Sequence, residues 1–237
     1  MMRWSLPALS RTGDTSSVDI IEAATRYQRG IEHAQNLLEL HRRSGQGKRG
    51  RRRLEHSLNR AVVVTTVATW QATVQDLART ILDSTPPSPV DPNRQLHLMI
   101  AQEVRGRIGK FSTPNAENSR DLLRAAGFDP RPLWTWQTRP GRSDPGLWKP
   151  TDVESGIFDW LKVRHAIAHG DPELPAVNVL EVVRRPILAN KDGRPALRLR
   201  DAQACVGFFH RLVVATGDGV ADHLGVAAPA WESKSSD

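Results

Sequence analysis

Three side chains close together in the sequence have types and spacing that suit chemistry at a phosphate. Arg164, His165 and His169 belong to the string RHAIAHG, residues 164–170. An imidazole titrates near neutral pH, so it can take up or release a proton during a reaction. A guanidinium stays protonated and can hold two phosphate oxygens at once. The string therefore predicts acid–base chemistry beside a bound phosphate.

A single helix must position these three residues. Apolar residues recur at helical spacing from Thr151 or Asp152 to His169, which predicts a helix over this stretch. Gly170 suits the left-handed position that ends a helix, and Pro172 prevents its continuation. His169 then lies at the helix C-terminus, where the negative end of the helix dipole favours a positive charge. This position suits a proton donor.

Arg164 and His169 point in different directions on such a helix. Each residue turns an ideal helix by about 100°, so the two side chains diverge by about 140°. One helix therefore does not readily aim both groups at the same phosphate, unless its end is distorted near Gly170.

The string RHAIAHG resembles the R-x4-H signature of the HEPN superfamily, and within it the branch associated with RiboL-PSP proteins. Two further stretches are similar to segments of that branch: AVVVTTVATWQATVQDLARTIL (residues 61–82) and FSTPNAENSRDLLRAAGF (residues 111–128). Gln71 stands where the branch usually has a glutamate, and no tyrosine follows it. The resemblance covers roughly residues 15–225.

The resemblance implies a helical homodimer that cleaves single-stranded RNA without a metal or other cofactor. Facing motif helices would form a composite cleft, which would bring Arg164 and His169 of one subunit beside those of the other. Arg164 would clamp the scissile phosphate, His169 would transfer protons and His165 would assist. The implied products carry a 2′,3′-cyclic phosphate or a phosphate on one side and a 5′-hydroxyl on the other.

The resemblance also implies a biological setting. HEPN ribonucleases act as toxins or anti-phage defence effectors, so an antitoxin or another defence-system protein is an expected partner. A catalytically inactive HEPN module that binds RNA or a nucleotide stays open as an alternative, with Gln71 as the departure that favours it. A helical protein–protein adaptor is a third alternative.

Simpler interpretations of the same residues also stay open. Arg164 could form a structural ion pair, and His169 could merely cap the helix end. His165 and His169 are spaced to bind zinc together, but no further ligand in the sequence completes a convincing site, so no metal is predicted. The acidic residues near Arg164 in the sequence are Glu154, Asp159 and Asp171.

The charge of the chain favours a polyanionic partner. Its 237 residues include 33 Lys and Arg against 26 Asp and Glu, a net charge of +7. An excess of this kind points first to nucleic acid. A basic run between two predicted helices could contact RNA phosphates, although a solvated connector explains it equally well. Its basic residues are Lys48, Arg49, Arg51, Arg52 and Arg53.

Composition excludes several other classes of protein. Apolar residues make up 39% of the chain, which is ordinary for a globular protein. Cys205 is the only cysteine, so an internal disulfide cannot form and a reducing compartment is expected. No apolar stretch is long enough to span a bilayer, and the N-terminus does not resemble a signal peptide. We expect a cytoplasmic protein without membrane contact.

Helical periodicity predicts an all-α bundle. The helix over about 58–84 is apolar on most of its circumference and should lie at the centre. One short β-hairpin is allowed near 178–200, around Asp192-Gly193. The predicted organisation is an irregular segment over 1–14, a helical domain over 15–225 and a flexible tail over 226–237. The other helices are predicted over 20–44, from Asp91 past Ile108, from Pro114 to Gly127, and from Asp201 towards Leu224.

Overall fold

The computed structural model describes residues 19–44, 51–138, 146–185, 187 and 195–232, with the backbone alone at 44 and 51–53. This part of the chain is mostly helical and contains one two-stranded sheet, which confirms the predicted all-α class. None of its helices is both long enough and apolar enough to cross a membrane.

Seven helices and two short strands follow one another in the described residues. All six helices predicted from apolar periodicity are present, and only α6 was not expected. The elements are α1 (Ile20–Ser44), α2 (Arg51–Ser84), α3 (Arg94–Lys110), α4 (Ala116–Ala126), β1 (Trp136–Gln137), β2 (Leu147–Trp148), α5 (Pro150–His169), α6 (Glu181–Arg184) and α7 (Leu199–His223).

Helix α2 is the centre of the bundle. It contacts α1, α3, α4, α5 and α7, and Val62, Trp70 and Leu77 along it are fully buried. A helix surrounded on several sides needs apolar residues around most of its circumference, as this one has. The position predicted for it is therefore confirmed, and the prolines that follow Ser84 end it as expected.

The basic run partly belongs to this central helix. Arg51–Arg53 form the first turn of α2, so the prediction of a connector over the whole run is wrong for these three residues. Their side chains lie outside the described part of the structure, as do Lys48 and Arg49 entirely. The proposed contacts of the run with RNA stay a prediction.

The one hairpin of the described residues lies outside the range 178–200. β1 pairs antiparallel with β2, and Trp136 faces Trp148 across the pair with ring centroids 6.0 Å apart. This cross-strand pair of tryptophans stabilises the hairpin. Asp192-Gly193, the turn of the hairpin predicted near 178–200, lies outside the described residues, so that hairpin stays a prediction.

The C-terminal segment packs against the bundle. Trp231 is buried between α1 and α7, and its Nε1 donates to Asp218 Oδ1 at 2.8 Å. Gln28 on α1 donates to the carbonyl of Ala230 at 2.7 Å. Residues 226–232 thus differ from the predicted flexible tail, because burial of the indole holds them in place. Residues 233–237 and the predicted irregular segment 1–14 lie outside the described part.

Glycines allow this close packing on α7. A Cβ added at Gly217 would lie 2.0 Å from Trp231, and one at Gly219 would lie 2.1 Å from Leu133. Glycine destabilises a helix interior, yet α7 continues through both glycines to His223. Contacts that only glycine permits compensate for its low helix propensity.

Candidate active site on helix α5

The residues at the two ends of helix α5 explain where it begins and ends. Pro150 occupies the first turn, where its missing N–H costs nothing, and the N–H of Lys149 donates to Asp152 Oδ2 at 2.8 Å. At the other end Gly170 has φ of 73°, in the left-handed region that favours glycine, and its N–H bonds to the carbonyls of Ala166 and Ile167. The predicted Gly170 cap is confirmed, and it fixes His169 in the last turn.

The two sides of α5 differ in chemistry. One side packs into the core through apolar residues that include Val153, Ile157 and Trp160. The opposite side, which we call the outer face of α5, is exposed along its length. The Lys162 ammonium on this face lies 4.4 Å from the centroid of the Phe158 ring. The outer face consists of Phe158, Lys162, His165 and His169.

The outer face brings the two histidines together. Their ring centroids lie 6.5 Å apart, with the ring planes nearly perpendicular. Positions four apart on a helix are neighbours, which explains this pairing. Both rings open onto a shallow cavity of about 350 Å³, which we call the histidine cavity. Its other walls are Lys162, Ala166 and the loop residues Asp171, Glu173, Leu174 and Pro175.

The surroundings of His165 oppose its protonation. Partial burial lowers the pKa of His165, and the positive charges of Arg164 and His169 lower it further. Burial and like charge both penalise the imidazolium more than the neutral ring. His165 is therefore suited to accept a proton near neutral pH.

Arg164 does not reach the histidine cavity. Its side chain is half-buried and is not among the residues that line the cavity, in agreement with the angle of about 140° between positions 164 and 169. It makes no hydrogen bond or ion pair with any described residue. Two of its expected partners are engaged elsewhere: Glu154 with Arg131 at 2.5 Å, and Asp159 with the N–H of Asn178 at 3.1 Å.

The structure therefore unites two of the three residues singled out from the sequence. His165 and His169 share one cavity, whereas Arg164 faces another side of the helix within one chain. Comparison with protein-family models, with curated proteins and with solved structures finds no match to this chain. Among the described residues, no group of three or more His, Cys, Asp and Glu side chains could hold a metal ion.

Gln71 has a structural role. Its Nε2 donates to the carbonyl of Phe111 at 2.9 Å, and Gln75 Nε2 donates to the carbonyl of Ile108 at 2.7 Å. Trp70 Nε1 donates to the carbonyl of Pro114 at 3.2 Å. Three side chains of α2 thus hold the end of α3 and the loop that follows it. The stretches 61–82 and 111–128 are therefore physically coupled, and a carboxylate at position 71 could not donate this bond.

Cys205 belongs to the core. Its side chain is fully buried on α7, and burial raises the pKa of its thiol well above the ordinary value. A thiol that stays protonated is a poor nucleophile and a poor metal ligand. The structure thus agrees with the interpretation of Cys205 as a packing residue.

A larger groove was missed by the sequence analysis. It has a volume of about 840 Å³ and lies between the hairpin, α5 and α7; we call it the tryptophan groove. Its walls come from segments far apart in the sequence, so no local motif indicates it. The one signal available in the sequence was the presence of Trp136 and Trp148 in a stretch rich in proline and glycine.

Proposed function

We propose that this protein is a metal-independent endoribonuclease with its active site on the outer face of α5. The observation that supports this best is the pairing of His165 and His169 on one accessible cavity. Cleavage of RNA by its own 2′-hydroxyl needs one group that removes a proton and another that supplies one. Two neighbouring imidazoles can divide these tasks.

The lowered pKa of His165 supports a division of the two roles between the histidines. Neutral His165 accepts the proton of the 2′-hydroxyl, and O2′ then attacks phosphorus. The bond from phosphorus to O5′ breaks while protonated His169 donates its proton to O5′. The products are a 2′,3′-cyclic phosphate and a 5′-hydroxyl. The sequence analysis gave His165 only an assisting part, and its surroundings support the larger role of general base.

A dimer supplies the missing guanidinium in this proposal. Arg164 of one chain cannot readily serve its own histidines, so we place it beside the histidine cavity of a second copy. The outer face of α5 fits a contact between copies because it exposes Phe158, whose ring is 54% accessible. Apolar area of this kind is commonly buried where subunits meet. Arg164 then stabilises the charge that develops on the phosphate.

The resemblance to HEPN proteins supports the same function and suggests its setting. We propose that the dimer acts on single-stranded RNA in the cytoplasm as a toxin or defence effector, with an antitoxin or defence protein as its partner. The net charge of +7 supports a nucleic-acid substrate. In this proposal the run from Lys48 to Arg53 adds contacts to RNA phosphates.

Incubation with single-stranded RNA in EDTA tests the proposal. His165→Ala and His169→Ala are each expected to slow cleavage by about 100-fold or more, as loss of a general acid or base does. His33→Ala, an exposed histidine on α1, is the matched control and should cleave like the unchanged protein. Equal cleavage by His169→Ala and His33→Ala would overturn the proposal. Salt-sensitive RNA binding without any cleavage would instead favour the inactive module.

A further inference from the structure

The tryptophan groove combines an aromatic wall with exposed arginines. Trp136, Trp148 and Phe208 form the wall, with ring centroids between 5.5 and 6.0 Å apart. Both tryptophans are half-buried and line the groove, so part of each ring is accessible to a ligand. Accessible aromatic rings favour stacking with planar aromatic groups such as nucleobases.

Three exposed arginines line the same groove. Arg200 lies 3.5 Å from Glu181, a weak ion pair at an exposed site. Arg211 makes no hydrogen bond or ion pair with a described residue, and Arg184 has only a longer-range attraction to the largely buried Asp201. Their guanidinium groups therefore have donors to offer, and phosphate is the anion whose oxygens match a guanidinium best.

The acidic residues of the groove are already engaged. Asp152 accepts the N–H of Lys149 at 2.8 Å, and Asp159 accepts the N–H of Asn178 at 3.1 Å. Both carboxylates thus stabilise the backbone around α5. Among the described lining residues, three arginines stand against two carboxylates, so the groove carries a net positive charge that suits an anion.

Gly207 leaves open space on the groove side of α7. A Cβ added there would meet no atom within 4 Å, whereas one at Gly156 would clash with Phe208 at 2.8 Å. Gly156 is thus required for packing, and Gly207 is not. A glycine in mid-helix costs stability relative to alanine, about 1 kcal/mol. The absence of a side chain at this position leaves room for a ligand between the aromatic rings and the arginines.

We propose that the tryptophan groove binds a nucleoside phosphate, with the base on the tryptophan wall and the phosphate held by Arg184 and Arg211. The ligand is either a free nucleotide or one residue of an RNA strand. The loop over 171–180 borders both openings, since its first residues line the histidine cavity while Asn178 and Val179 line the groove. The site goes beyond the proposed function, because binding here needs neither His165 nor His169.

Tryptophan fluorescence of the full chain carrying His169→Ala measures the binding without cleavage of any RNA. Adenosine monophosphate is expected to change the fluorescence to saturation. Adenosine and inorganic phosphate should each bind roughly tenfold more weakly or worse, because each lacks one of the two contacts. A four-residue RNA that binds at least tenfold more tightly than the mononucleotide would identify a strand as the ligand; equal or weaker binding would identify a free nucleotide.

Two substitutions locate the site. Arg211→Gln and Gly207→Leu are each expected to weaken binding of adenosine monophosphate by about tenfold. Gly106→Leu on α3 is the matched control, since its Cβ position is equally open and lies away from the groove. Unchanged binding in Gly207→Leu and Arg211→Gln, or no binding of either the mononucleotide or the RNA, overturns the proposal. Loss of cleavage in His169→Ala with binding intact separates this site from the active site.

Discussion

At the scale of single residues, the positive charge of Arg164 lowers the pKa of His165, although the guanidinium lies outside the histidine cavity. Burial is the main cause of the lowered pKa of His165, and Arg164 adds to it. Replacing Arg164 by glutamine removes a positive charge that disfavours the imidazolium, so the pKa of His165 should rise. NMR titration of the imidazole protons should place His165 below the ordinary histidine range in the unchanged protein, and higher in Arg164→Gln.

The lowered pKa of His165 also determines how the proposed activity depends on pH. A base must be deprotonated, so cleavage should fall as the pH drops through the lowered pKa of His165. In Arg164→Gln this acid limb should move to higher pH, together with a loss of rate from the missing phosphate contact. A His165 resonance that does not respond to Arg164→Gln would contradict the coupling.

Gln71 carries a prediction about stability. Gln71→Glu replaces the donor to the Phe111 carbonyl by an acceptor, which leaves a half-buried carbonyl without its partner. The free energy of unfolding should fall by about 1–3 kcal/mol, measured by urea denaturation. Gln102→Glu, at an exposed position on α3, should change it by less than about 0.5 kcal/mol. Equal effects of the two substitutions would show that the hydrogen bond from Gln71 to Phe111 contributes nothing to the free energy of unfolding.

At the scale of elements, alanine substitution at two glycines of α7 should change the stability of the protein in opposite directions. Gly217→Ala places a Cβ against Trp231, so stability should fall by about 1–3 kcal/mol despite the better helix propensity. Gly207→Ala adds a Cβ in open space and should raise stability by up to about 1 kcal/mol. Thermal denaturation of both variants checks this. A stabilising Gly217→Ala would mean that the indole shifts away without cost.

Periodicity predicts the helices well because burial of one side is a local property of the sequence. It does not predict what covers each helix. Leu96, Met99 and Ile100 belong to the apolar pattern of α3, yet all three are largely exposed. The hairpin of β1 and β2 was not predicted for a similar reason, because the contact between Trp136 and Trp148 depends on the bundle beneath it.

The part of the candidate site that lies on one helix could be predicted from the sequence. The spacing of His165 and His169 places them on one side of α5, and the spacing of Arg164 separates it from them. The tryptophan groove was not predictable, because its walls meet only in the folded chain. The partial burial that lowers the pKa of His165 likewise depends on the loop that packs beside it.

At the scale of the whole molecule, the proposed dimer predicts that two inactive variants regain activity when they are mixed. Arg164→Ala and His169→Ala should each be nearly inactive alone. A mixed dimer contains one intact site, with Arg164 from one chain and His169 from the other, so mixing the variants should recover part of the activity. RNA cleavage by the refolded mixture measures this. Activity no higher than the sum of the separate variants would place the whole site within one chain.

The packing of Trp231 also has a consequence for how the molecule is made. Its indole contacts Tyr27 on the first helix, with ring centroids 6.0 Å apart, and is joined to the last helix through Asp218. A chain emerging from the ribosome cannot form these contacts until residue 231 has been synthesised. The first and last helices also contact each other directly, as Tyr27 does His210, but the packing of Trp231 between them is completed only after residue 231 has been synthesised.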